Sequence, residues 1–183
     1  KTVVDEHGRI DVLVNNAGTA EYAPVTEYPI DMWRRLIDIH LTASFVLSRE
    51  AGRHMVAQGR GTIINISSIA GPDIAFPGIP AYAAAKAGLE GLTRVFAVEL
   101  GPKGVTCNAI QAGYFHTELG GALKEGEPPG EGVKAFYQAV NEHTPLGRWG
   151  DPKEIAGIAV FLASDAASYV NGSVLTVDGG MTV

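Results

Sequence analysis

The sequence contains a single cysteine, Cys107, in 183 residues, so no internal disulfide can staple it. No Cys/His spacing suggests a zinc site or any other metal centre. Basic runs are also missing. With 14 Lys+Arg against 20 Asp+Glu, the net charge is −6, which excludes a protein that tracks a nucleic-acid backbone. Apolar stretches are short and broken by Gly, Pro and polar residues, so none is expected to span a membrane, and no signal-peptide pattern is seen. Charged residues make up only 19% and hydrophobic residues 46%, the balance of a globular chain that can bury a core. The expectation is a cytoplasmic protein of one domain, residues 1–183, with Cys107 as buried filler in a strand.

What is present alternates between strand and helix. Val3 to His7 reads as the tail of a helix closing on Gly8. Ile10 to Asn15 is a short apolar run, as expected of a strand buried in a parallel sheet. Asp31 to Gln58 predicts a long helix, with Trp33, Leu36, Ile37, His40, Leu41, Phe45 and Val46 on one face. Gly61 to Ser67 is a second strand. Ala81 to Leu100 is a helix with a stripe of Ala85, Leu89, Leu92, Phe96 and Leu100, stopped by Gly101-Pro102. Val105 to Ile110 is a third strand. Asp151-Pro152-Lys153-Glu154 opens another helix with an N-cap Asp, a Pro at the first position and a Glu at the third. Ser173 to Val177 is the last strand. This order predicts an α/β fold, a parallel sheet flanked by helices. The Gly/Pro-rich stretch from Leu119 to Leu146, with a helix around Val133 to Glu142, reads equally as a lid over the strand ends or as a surface excursion.

Tyr82 and Lys86 stand four apart in a predicted helix, which puts them on one face. An ammonium within about 4–6 Å of a phenol favours the phenolate, so Lys86 is expected to pull the Tyr82 pKa down from roughly 10. Such a pair can relay a proton to or from a substrate oxygen. Ser67 and Ser68 end a strand at the carboxyl edge, where open α/β sheets bind ligands, and a hydroxyl there can hydrogen-bond a carbonyl. Asn15-Asn16-Ala17-Gly18 ends the first strand at the same edge, with small residues that let a ligand approach the backbone. Each feature alone reads equally as an ordinary turn or helix face.

Together, Asn15-Asn16-Ala17-Gly18, Ile66-Ser67-Ser68, Tyr82-x-x-x-Lys86 and Val177-Asp178-Gly179-Gly180 resemble the successive signatures of the short-chain dehydrogenase/reductase family. The likeness extends over essentially the whole chain, including Pro145 to Pro152 and Phe161 to Asp165. It implies a single-domain Rossmann-type fold and an NAD- or NADP-dependent oxidoreductase interconverting a secondary alcohol and a ketone. By that resemblance Tyr82 is the proton donor/acceptor, Lys86 holds the nicotinamide ribose, and Ser68 orients the substrate oxygen. Asn15, Ala17 and Gly18 line the cofactor, and Ile110 and Thr117 flank its nicotinamide end. A homo-oligomer, dimer or tetramer, is implied as well, with the second helix and the segment from Gly172 to Val183 as candidate surfaces. Trp33-Arg34-Arg35, Arg53-His54-Met55 and Pro145 to Gly150 resemble the gluconate 5-dehydrogenase-like branch, though 3-oxoacyl-thioester reductases share most of these features.

The chain departs from the family pattern in places. Where members carry an asparagine in a run like Val-Asn-Leu-Thr, it has Ile39-His40-Leu41-Thr42. That position works largely through its backbone carbonyl, so His40 is a fourth catalytic candidate and also reads as a packed helix residue. The usual Pro-Gly after the third strand is Ala112-Gly113. No strand leading into a glycine-rich turn is found to hold a pyrophosphate. The expectation is therefore a truncated Rossmann-type catalytic domain, a partial fold corresponding to the second half of the doubly wound sheet, with Ile10 to Asn15 as an open edge. The competing expectation is a catalytically incompetent piece of such an enzyme that folds or oligomerises only. A serine hydrolase is disfavoured, since no G-x-S-x-G elbow occurs.

Overall fold

The computed structural model describes residues 2–117 and 131–183. The elements are α1 (Thr2–His7), β1 (Val12–Asn15), α2 (Ile30–Ile37), α3 (Ala43–Gln58), β2 (Gly61–Ser68), α4 (Pro80–Leu100), β3 (Val105–Ala112), α5 (Glu131–His143), α6 (Pro152–Ala163) and β4 (Val174–Val177). The four strands form one all-parallel sheet in the order β1-β2-β3-β4. Strand order and chain order coincide, so each crossover carries the chain one place further along the sheet. β1 forms the edge, with Val12 and Val14 exposed. The expected α/β architecture of a parallel sheet between helices is therefore present.

Alternation along the strands splits the core in two. Ile63, Val105 and Cys107 point to one face and pack with Ala51 and Met55 of α3 and Ala97 of α4. Ile64 and Ile110 point to the other and meet Leu162 of α6 and Ala167. Cys107 is fully buried, and burial pushes its thiol up to about 12. It is an apolar packing residue, as its strand context suggested.

The ends of elements follow their local chemistry. The α1 helix gives way to Gly8 at φ 72°, the left-handed position a helix end favours for glycine. Asp151 caps α6: its carboxylate accepts the Lys153 amide at 2.8 Å, and Glu154 returns a bond to the Asp151 amide at 2.8 Å. The Arg148 guanidinium on Glu154 holds that carboxyl down at about 2.

The long helix expected over Asp31 to Gln58 is interrupted by a π-helical turn at Asp38–Thr42, where the Ala43 amide reaches the Asp38 carbonyl five residues back. Its buried residues Leu36, His40, Ser44 and Ser48 each stand four residues after the last. Three regular turns take only about 11 residues, so the turn absorbs roughly one extra. The expected stripe is corrected accordingly. Phe45 and Val46 are exposed, and the sheet side of α3 carries Ser44, Ser48, Ala51, Gly52 and Met55. The rotation imposed by the π turn brings these small residues inward, where Ser48 meets Asn15.

Candidate active site

The carboxyl ends of β1, β2 and β3 open onto a cleft of about 820 Å³, the place where parallel α/β sheets bind ligands. Asn16, Ser68, Tyr82, Lys86 and Gly113 all reach its wall. Parallel pairing aligns the strand ends: Ser67 and Ser68 stand beside Gln111 and Ala112 in the ladder. The α4 helix begins with Pro80, suited to a first turn because it has no amide to leave unpaired. It runs back along the sheet, so Tyr82 and Lys86 face the strand ends.

Lys86 is 6% exposed, and its ammonium donates to the Ile66 carbonyl at 2.7 Å. Burial lowers its pKa to about 8. The ammonium lies 5.5 Å from the centre of the Tyr82 ring. The expected depression of the Tyr82 pKa is not what this geometry gives. Burial of the phenol raises it, and the neighbouring Ser68 hydroxyl only partly opposes the rise. Desolvation of the phenol is the largest cause of the rise. Ser68 also accepts the Ala70 amide at 3.1 Å, which fixes the loop leaving β2.

The two serines part company. Ser67, also at the cleft wall, donates to Glu90 Oε1 at 3.0 Å, which also accepts from Gln111 at 3.2 Å. Glu90 is buried, and its carboxyl pKa is raised by that burial, with the Ser67 hydrogen bond and the Arg94 charge acting against the rise. This group ties α4 to β2 and β3 directly behind the site. Periodicity gave no signal for it, since a Glu on a helix reads as a solvent-facing residue.

His40 lies in the π turn and is buried. Its Nε2 sits 2.7 Å from the Thr19 carbonyl, and its ring meets that of Tyr82 at 5.1 Å between centroids. Its Nδ1 is buried and makes no hydrogen bond among the described residues. Burial first, then the Lys86 charge, lowers its pKa, so the ring is neutral near pH 7. The His40 carbonyl accepts the Ser44 hydroxyl at 2.9 Å.

The expected cofactor-lining residues are distributed unevenly. Gly18 and Thr117 reach the cleft. Ala17 is exposed on the loop beside it. Asn15 is buried instead, its amide nitrogen donating to Ser48 at 2.9 Å and to Asn65 at 2.7 Å, so it locks β1 to α3 and β2. Ile110, expected at the nicotinamide end, is fully buried and packs in the core with Leu162 of α6. Ala112, the last residue of β3, and Gly113 after it reach the opening, whereas Ile110 lies two residues deeper in the strand. Of the insertion expected over the strand ends, Leu119 to Gly130 lie outside the described residues. The α5 helix beyond them does lie over the cleft and supplies Gly132, Val133 and Phe136 to its wall. Aromatic rings that the sequence gave no reason to group, Phe76, Tyr114, Phe136 and Trp149, pack there edge to face or tilted.

A cleft at the strand ends of a parallel sheet between helices is the arrangement of a Rossmann-type fold. The chain belongs to the short-chain dehydrogenase/reductase family. Residues 1–182 match the family model described as enoyl-(acyl carrier protein) reductase. A 2-dehydro-3-deoxy-D-gluconate 5-dehydrogenase of Pseudoalteromonas atlantica is 44% identical over 183 residues, covering 98% of this chain and 68% of its own length. A 5-keto-D-gluconate 5-reductase of Escherichia coli is 44% identical over 176 residues, with 96% and 66% covered. The crystal structure of a gluconate 5-dehydrogenase from Burkholderia cenocepacia, in complex with NADP and tartrate, superposes with a TM-score of 0.89 at 39% identity, covering 99% of this chain and 68% of that one. The chain thus spans about two-thirds of the length of the relatives it matches. Among the described residues no helix is long and apolar enough to cross a membrane.

Proposed function

We propose that the protein is an NAD(P)-dependent oxidoreductase that interconverts a secondary alcohol and a ketone, with Ser68, Tyr82 and Lys86 as its catalytic residues. The observation that carries this reading is the gathering of those three side chains on one wall of the cleft at the strand ends. The small residues there fit a nicotinamide. Asn16 and Gly18 on one side and Ala112, Gly113 and Thr117 on the other leave room for a flat ring to approach the backbone, and Lys86 stands ready to exchange the Ile66 carbonyl for a ribose hydroxyl. When bound, the nicotinamide supplies or accepts the hydride.

The chain's own groups handle the proton. In reduction, the substrate oxygen accepts hydrogen bonds from Ser68 and Tyr82, and the Tyr82 phenol delivers its proton. A raised pKa suits that role, since the phenol stays protonated at neutral pH. Lys86 then offsets the negative charge left on the ring. In oxidation the same proton returns by the reverse path. Tyr82→Phe removes the proton donor, and turnover with NADPH or NADH is expected to fall by about 10²–10⁴ with cofactor affinity nearly unchanged. Equal turnover of variant and wild type on any ketone would overturn the assignment.

The protein is further proposed to be a homo-oligomer. Phe45 and Val46 of α3 and Val95 and Val98 of α4 leave an exposed apolar surface on adjacent helices, the kind of patch that marks an association face. Light scattering that finds only a monomer at assay concentration would refute this.

A further inference from the structure

We propose, resting on the oxidoreductase reading above, that the substrate is an uncharged and largely apolar molecule, an aryl or alicyclic ketone and its secondary alcohol, and not a sugar acid. The substrate end of the cleft is built from rings. Tyr114 projects from the end of β3 and meets Phe76 edge to face at 6.1 Å, Phe136 at 5.6 Å and Trp149 at 5.2 Å. Tyr22 stands at the mouth, and Ile79 and Val133 complete the apolar wall. Burial pushes the Tyr114 phenol up to about 12, so it presents a neutral hydroxyl and an aromatic face.

A carboxylate drawn into such a space loses its hydration and needs a cation or several donors in return. Among the described residues of the wall, the cationic and imidazole groups are Lys86 and His40. Lys86 is committed to the Ile66 carbonyl, and His40 is held neutral. Arg35 of α2 is engaged as well: its Nε donates to Glu21 at 3.0 Å, directly before Tyr22. The mouth therefore presents an ion pair closed on itself beside an aromatic ring, which leaves Arg35 engaged and favours a flat apolar substrate over an anionic one. The named relatives act on sugar acids, whose carboxylate meets no uncommitted cation among the described residues of the wall.

The test is calorimetric titration of the full chain with 2-decalone and with 5-keto-D-gluconate, each followed by NADPH consumption in the same samples. Decalone is expected to bind at least about tenfold more tightly. Phe136→Ala should weaken decalone by roughly threefold to tenfold, the share of one aromatic wall. Glu21→Gln, which frees Arg35, should improve ketogluconate binding and leave decalone unchanged. Ketogluconate binding as tight as decalone, or no binding of decalone at all, overturns the proposal. Decalone binding without NADPH consumption supports the apolar pocket and counts against the oxidoreductase reading. NADPH consumption with ketogluconate and no decalone binding does the reverse.

Discussion

The imidazole of His40 and the ring of Tyr82 meet edge to face, 5.1 Å apart, so the helix carrying the π turn sets the position of the proposed proton donor on α4. Gly18 completes the arrangement from the loop after β1. A methyl added to it would stand 2.5 Å from His40 Cε1, far inside contact distance.

Gly18→Ala should therefore push the imidazole off the Thr19 carbonyl and tilt Tyr82. Turnover is expected to fall by about tenfold or more with thermal stability shifted by only a few degrees. His40→Asn keeps the backbone of the turn and should cost less than about tenfold. Steady-state rates of both variants provide the check. If His40→Asn were as damaging as Tyr82→Phe, the imidazole itself would be moving protons.

Lys86 supplies a prediction about pH. Its pKa is lowered by burial from 10.5 to about 8, so the folded state disfavours the charged form. Below pH 8 both states carry the charge, and folding bears the full desolvation cost. As pH rises from about 8 towards 10.5, the folded protein sheds its proton first and that cost disappears. Lys86→Met should be more stable than wild type near pH 7, by order 1–2 kcal/mol after the lost Ile66 bond is counted. The gap should narrow above pH 8, and the variant should be inactive. Thermal melts across that range measure it, and a gap that widens with pH would refute the reading.

Glu90 behaves in the opposite sense. Its folded pKa is raised by burial, so the folded state binds the proton more tightly than the unfolded one. Ionised Glu90 costs stability at neutral pH, and the cost fades as pH falls through the raised pKa towards 4.5. Glu90→Gln keeps an acceptor for Ser67 and Gln111 and gives up only the long contact to the exposed Arg94, worth little at the surface. The variant is expected to melt roughly 2–4 °C higher at neutral pH for each kcal/mol gained, with the difference vanishing in acid. A lower melting point at pH 7 would show that the charge is needed where it sits.

The strands and most helices are legible because period-2 and period-3.6 patterns report burial directly, and the i,i+4 spacing of Tyr82 and Lys86 brings both to the cleft that Ser68 also lines. A regular helical period carried through Asp38 to Thr42 puts Phe45 and Val46 inward, and nothing in that stretch announces the π turn. Ile110, which the family resemblance puts beside the nicotinamide, lies two residues inside the strand end and packs in the core. Glu90 and the aromatic group around Tyr114 depend on contacts between distant segments, which no local pattern encodes. Asn15 was expected at the cofactor and is instead spent on holding β1 in place.

The turn at Asp38–Thr42 also bears on how this helix tolerates insertion and deletion. Removing a residue between Ala43 and Ala51 would swing all that follows by about 100°, carrying Met55 away from the sheet it packs on. Removing one inside the turn would convert it to regular helix and leave both flanking faces where they are. What would go is the widened loop of backbone that holds His40 against Tyr82. The helix thus has one place where its length is negotiable, and that place adjoins the proposed chemistry.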